Sequence, residues 1–180
     1  KDEEGAAAVY QNLGANPTSV RGMNANIAYG RIPGHKSTSA DAVKAYVQAL
    51  LNAKHPTWVQ IPKELRPKHW KYRRPVCRLL MALYGHPESG GHWEIHLTRV
   101  VKNLGGEPVA EHPGSFWFPD TRLLLTTYVD DFLLSGPSEH HDSLWKALGD
   151  VKKGGIEIED IGGLGRFLGR YHDVVITEDG

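Results

Sequence analysis

The sequence predicts an α+β fold, a split βαββαβ antiparallel sheet with helices packed on one face. Three observations predict it. From Asp41 onward the elements follow one another as strand, helices, strand, strand, helix, strand, the order that closes an antiparallel sheet with its helices gathered on one side. Ser115-Phe116-Trp117-Phe118, Arg122 to Val129 and Phe132 to Ser135 are three apolar runs parted by Pro119-Asp120 and Asp130-Asp131, connections short enough for direct hairpins. Residues 92–104 place Trp93, Leu97, Val100, Val101 and Leu104 on one stripe ended by Gly105-Gly106, an amphipathic helix that must bury that stripe on something.

Composition sets the outer limits. The chain has 180 residues, 40% of them apolar, with five Trp and seven Tyr, enough for one domain with a real core. Twenty-one cations balance twenty-one anions, so bulk charge does not announce a nucleic-acid partner, although a local patch still can. The single cysteine, Cys77, permits no intrachain disulfide and points to an intracellular, reducing setting. No apolar run approaches the ~20 residues of a membrane span, so no membrane partner is expected. The opening Lys1-Asp2-Glu3-Glu4 resembles neither an initiator nor a signal sequence; the chain reads as a soluble piece of a longer polypeptide.

Residues 3–13 are helix formers stopped by Gly14, and residues 14–36, rich in Gly, Asn and Pro, read as an irregular loop; residues 1–40 thus stand apart from a domain over 41–180. Ser37 to Asp41 reads as a short extended segment and Ala42 to Leu51 as a helix, with Asp41 placed to cap it. Thr57 to Ile61 alternates as a strand ended by Pro62. Residues 63–74 carry six Lys or Arg against one acid, interleaved with Trp70 and Tyr72; cations neutralise phosphates and aromatic rings stack on bases, although a solvated loop has the same composition. Val76 to Tyr84 is helix-compatible. His92 and His96 share a helical face, but no Glu follows His92 directly, so the zinc-hydrolase pattern is missing. Ser138 is placed to cap a helix bearing Leu144, Trp145 and Leu148. Ile156 to Ile158 and Arg170 to Thr177 read as strands. The glycine-rich 162–169 lacks the spacing of a dinucleotide loop.

The stretch Leu123 to Gly136 carries the chemistry. Apolar residues run into Asp130-Asp131 and out again. Adjacent carboxylates repel, and burial raises the cost of ionising each. The predicted topology brings Asp41 to the same point. Three carboxylates together call for cations, Mg²⁺ above all, because hard divalent ions take carboxylate and phosphate oxygens together. The chemistry indicated is two-metal phosphoryl transfer.

These residues also carry a family likeness. Tyr128-Val129-Asp130-Asp131 resembles the Tyr-x-Asp-Asp box of reverse transcriptases. Asp41 to Val47 looks like that family's upstream Asp segment, and Trp58 to Pro62 like the strand after it. Leu83-Tyr84-Gly85 with Trp93 resembles the Leu-Tyr-Gly-Leu-Lys-Gln-Ala-Pro-Arg-x-Trp box of Ty1/copia-type retrotransposon polymerases. Gly165-Arg166-Phe167-Leu168-Gly169 is similar to their later Phe-Leu-Gly segment. The match covers residues 41–176 in order.

The resemblance implies a polymerase palm, with residues 1–40 as a partial fingers segment and the thumb and RNase H domain outside this stretch of a Pol polyprotein. It implies Asp41, Asp130 and Asp131 as catalytic ligands of two Mg²⁺, with Mn²⁺ as a substitute, and no organic cofactor. Tyr46 becomes the gate against a ribose 2′-hydroxyl. Backbone N–H groups at Ala42 and Val43 would meet the dNTP triphosphate, as at a helix N-terminus. Tyr128, Val129, Phe167, Leu168 and Gly169 fall along primer and template, an RNA or DNA duplex, and Lys68, Lys71, Arg73 and Arg74 add phosphate contacts. Glu88 stands where the family has a nucleotide-binding Gln; a carboxylate there repels a triphosphate unless protonated or turned away. The alternative reading is a decayed, non-catalytic remnant that keeps the fold and at most binds nucleic acid.

Overall fold

A computed structural model describes residues 18–172 and residue 175. The helix expected over 3–13 and the end of the strand expected over 170–177 lie outside the described residues. In chain order the elements are α1 (Val20–Tyr29), β1 (His35–Ala42), β2 (Trp58–Gln60), β3 (Val76–Arg78), α2 (Ser89–Asn103), β4 (Glu107–Pro108), β5 (Ser115–Phe118), β6 (Leu123–Tyr128), β7 (Asp131–Pro137), α3 (His141–Leu148), β8 (Ile158–Gly163), β9 (Arg166–Phe167) and β10 (Arg170–Tyr171).

Six strands form one sheet in the order β4-β5-β6-β7-β1-β8, and every pairing in it is antiparallel. The expected α+β class and central β1–β7 pairing are both present. The main core lies on one face. There Phe116, Phe118, Leu123, Leu125, Phe132 and Leu134 meet Trp93, Leu97, Val100 and Val101 of α2 and Leu144, Trp145 and Leu148 of α3. Each fully buried Leu or Phe of this set contributes roughly 1.5–3 kcal/mol.

The helices do not all share that face. Alternation along β7 turns Leu133 the other way, into a second cluster with Met23 of α1 and Phe167 of β9. The sheet is therefore covered on both sides, which corrects the expectation of helices on one face. α1 also overturns the irregular loop expected over 14–36. Ser19 caps it, its Oγ accepting the Gly22 N–H. Its anchor is polar: the buried Asn26 Nδ2 donates to Thr126 Oγ1 (2.8 Å) and to the carbonyls of Leu124 (3.0 Å) and Leu133 (3.3 Å). A Cβ on Gly30, at the end of α1, would collide with Ser37 Oγ, so a glycine is what lets α1 close onto β1.

Four further expectations are corrected. The helix expected over 42–51 is a strand end followed by one 3-10 turn, Ala45–Gln48, entered through Lys44 at φ 50°, ψ 49°. Longer helix is pre-empted because residues 49–51 pair with 80–82: Leu51 N–H donates to Leu80 O (2.8 Å) and Ala82 N–H to Ala49 O (2.9 Å). That pairing also keeps 76–84 extended rather than helical. Ser138 is no helix cap; its Oγ donates to Gly34 O (3.0 Å), and α3 begins at His141 after a 3-10 turn. The strand expected over 156–158 starts at Ile158, because the Ile156 N–H donates back to Leu148 O (2.7 Å) at the end of α3.

Candidate metal and nucleotide site

β6 and β7 are joined through Val129 and Asp130 alone, with Tyr128 facing Asp131. Val129 has φ +54°, a region that a β-branched residue rarely enters and that stores strain. Contacts from two sides hold it there. The Trp93 indole N–H of α2 donates to Val129 O (2.8 Å), and the Ala42 N–H of β1 donates to Asp130 O (2.7 Å). Trp93 is 1% exposed, so the turn is fastened to the core and not merely tethered at a surface.

Across the β1–β7 ladder Asp41 is the direct partner of Asp131. Opposite residues of an antiparallel pair project from the same face, so the two carboxyl groups face one another across the ladder. Burial, then the charges of Asp130 and Asp41, push the Asp131 pKa up to about 6, with Arg166 opposing. Of the three acids singled out in sequence, Asp41 and Asp131 thus face one another, and Asp130 is the neighbouring residue on the turn. On the other edge of β1, Asp41 is also the direct partner of Glu159 of β8. The sequence reading passed over Glu159, since its register depends on an irregularity between Ser39 and Asp41 that no local pattern announces.

Among the described residues, no three His, Cys, Asp or Glu side chains already stand as a cation cage. The donor set nevertheless fits a hard divalent ion. Its donors are all carboxylate oxygens, the hard ligands that such an ion takes.

Tyrosines line the approach. Tyr46, on the 3-10 turn, packs against the main core, and its ring centroid lies 4.7 Å from that of Tyr84. Its pKa is raised by burial first, then by Tyr84, Asp130 and Tyr128. Tyr84 is raised likewise by burial and by Asp130. Both phenols are therefore neutral near pH 7 and lie within reach of the Asp130 charge.

The remaining expected residues separate into two groups. Ala42 and Val43 lie at the site, but their N–H groups are engaged, by Asp130 O (2.7 Å) and Glu157 O (2.9 Å) respectively; with no helix beginning there, neither is free for a phosphate. Glu88 is 5% exposed at the start of α2, with its backbone N–H donating to His86 Nδ1 (3.2 Å). Phe167 is 1% exposed and packs against Leu133 and Met23, so it supports β7 from beneath and does not face a ligand. Leu168 and Gly169 form the two-residue turn of the β9–β10 hairpin, both at positive φ, as a type I′ turn requires.

Lys68, Lys71, Arg73 and Arg74 lie elsewhere, exposed on the loop that joins β2 to β3. Trp70 and Tyr72 meet edge to face there, centroids 5.8 Å apart. The ion pairs among the described residues are Lys36–Asp142, His140–Glu139 and Lys153–Asp150; none draws on this loop, and its positive charge stands uncompensated by them. His92 is buried and His96 bonds Arg99 through Nδ1 (3.0 Å), so the two histidines do not pair. No helix among the described residues is long and apolar enough to cross a membrane.

No family model matches the chain.

Proposed function

We propose that the chain is the palm of an RNA-directed DNA polymerase of the Ty1/copia retrotransposon type, part of a Pol polyprotein that copies an RNA or DNA template from a primer. One observation carries the reading: Asp41 and Asp131 are direct cross-strand partners, with Asp130 beside them on a turn strained at Val129. Asp131 is half-buried while Asp41 and Asp130 are exposed; carboxylates that repel one another at such close quarters are eased by a counter-charge and are characteristic of functional sites.

In this reading Asp41, Asp130 and Asp131 hold two Mg²⁺, or Mn²⁺. When bound, these ions lower the pKa of the primer 3′-hydroxyl and neutralise charge on the triphosphate. The 3′-oxygen attacks the α-phosphorus of a dNTP, the new O–P bond forms and pyrophosphate leaves. Tyr46 stands against the sugar, Tyr128 and Val129 against the primer end, and the Leu168-Gly169 turn beside it. The basic β2–β3 loop takes phosphates of the template strand.

Primer extension by the parent polypeptide tests this. Asp130→Asn and Asp131→Asn are each expected to cut synthesis by at least ~10³-fold, because each removes a ligand from centres that act as a unit. Undiminished synthesis by either variant would sink the assignment.

The remnant reading has its own support, in the buried Glu88 and in the engaged N–H groups of Ala42 and Val43. It predicts a parent that binds nucleic acid through the β2–β3 loop but extends primers only after Glu88→Gln.

A further inference from the structure

The ring beside Tyr46 belongs to a segment that is held as firmly as the carboxylate turn. Leu50 and Met81 form an antiparallel bridge, flanked by the Leu51–Leu80 and Ala82–Ala49 backbone bonds, which tie the Tyr46 turn directly to the strand leading to Tyr84. Beyond it, Leu83 N–H donates to Ser89 Oγ (2.9 Å) and Ser89 Oγ donates to Leu83 O (2.7 Å). Ser89 is 1% exposed. Gly85 turns the chain at φ +89°, and Thr57 Oγ1 bonds His86 Nε2 (2.9 Å). Tyr84 therefore projects from a closed loop fixed at both ends. Its ring meets that of Tyr46 at 4.7 Å and 50°, while the side chain stays 52% exposed.

A single ring on a one-turn 3-10 helix can swing aside; a second ring in contact with it blocks that motion. Resting on the polymerase reading, we propose that Tyr84 is a second specificity-determining residue, which forms with Tyr46 a two-ring wall against the sugar of the incoming nucleotide and excludes a 2′-hydroxyl. The wall acts by shape. Rejection of one added hydroxyl by shape alone is modest, about 10²-fold at most, and loss of one of two rings gives up part of it.

The test is incorporation of a dNTP and its matching rNTP by the parent polypeptide, compared as kcat/KM for the wild type, Tyr84→Ala, Tyr84→Leu and Tyr84→Phe. Tyr84→Ala and Tyr84→Leu are expected to raise the rNTP-to-dNTP ratio about tenfold, and Tyr84→Phe to leave it within about twofold of wild type. Tyr84→Leu keeps apolar bulk on the loop and serves if the alanine variant does not fold. A ratio unchanged in both, with dNTP extension retained, overturns the proposal alone, as does an equal rise in Tyr84→Phe. A wild-type parent that extends no primer overturns the polymerase reading and this inference together.

Discussion

The molecule contains two hairpins with opposite physics. In β6–β7 most residues are buried, the turn is strained, and the tip carries adjacent negative charges fastened to α2 and β1. In β2–β3 all six strand residues are exposed, and the joining loop is crowded with positive charge. The first is rigid because cost is concentrated there: surrounding packing must hold an arrangement that the local chain would not choose. The second costs the fold little and is free to follow a partner. One suits a site where atoms must be placed within fractions of an ångström, the other a surface that gathers phosphates.

Truncation is the bluntest way to break this contrast. Phe132→Ala, in the middle of β7, is expected to lower unfolding stability by about 3–5 kcal/mol, whereas Val59→Ala on β2 is expected to change it by less than about 0.5 kcal/mol. Chemical denaturation of both variants measures it, and equal losses would mean that the β2–β3 hairpin is part of the core.

Charge removal sharpens the contrast. Replacing Lys68, Lys71, Arg73 and Arg74 together by Ala should leave the melting temperature unchanged and reduce the salt slope of nucleic-acid binding by about 3. An unchanged slope would make the stretch a solvated loop only. Asp131→Asn should do the reverse, acting on stability. The folded chain raises the Asp131 pKa from its ordinary 3.8 to about 6, so folding is favoured by protonation of this group as pH falls through 6, and at pH 8 the ionised carboxylate is a burden. The amide removes that burden. Taken without solvent screening the shift is worth about 3 kcal/mol; for a half-exposed group, about 1 kcal/mol of added stability at pH 8 is the realistic expectation. The gain should shrink through pH 6 and be gone near pH 4, and thermal melts across that range would show it. Val129→Gly should give a gain of similar size, about 1 kcal/mol, but independent of pH, from relieving φ +54°, read from the same melts.

The legible parts of the sequence were those decided locally. Residues 115–135 are three apolar runs parted by short turns, and the β5-β6-β7 meander follows. The meeting of Asp41 with Asp131 follows from element order alone. What resisted reading was decided at long range. The helical pattern of 42–51 lost to pairing with 80–82 and to the carbonyl of Asp130. α1 escaped because its anchor is a buried Asn26, which in sequence looks like loop composition. Glu159 and Tyr84 entered the site through register and loop closure, and neither leaves a periodic trace.

In the proposed reading both hairpins meet phosphates, and only the carboxylate one would do so through a cation. Mn²⁺ binding to the chain itself, followed by electron paramagnetic resonance at pH 7.5 in the wild type and in Asp131→Asn, tests for that cation without depending on catalysis. Saturable binding by the wild type that weakens at least ~10-fold in Asp131→Asn is the predicted result. Equal affinity in the two proteins, or no binding in either, would contradict a metal centre on Asp41, Asp130 and Asp131.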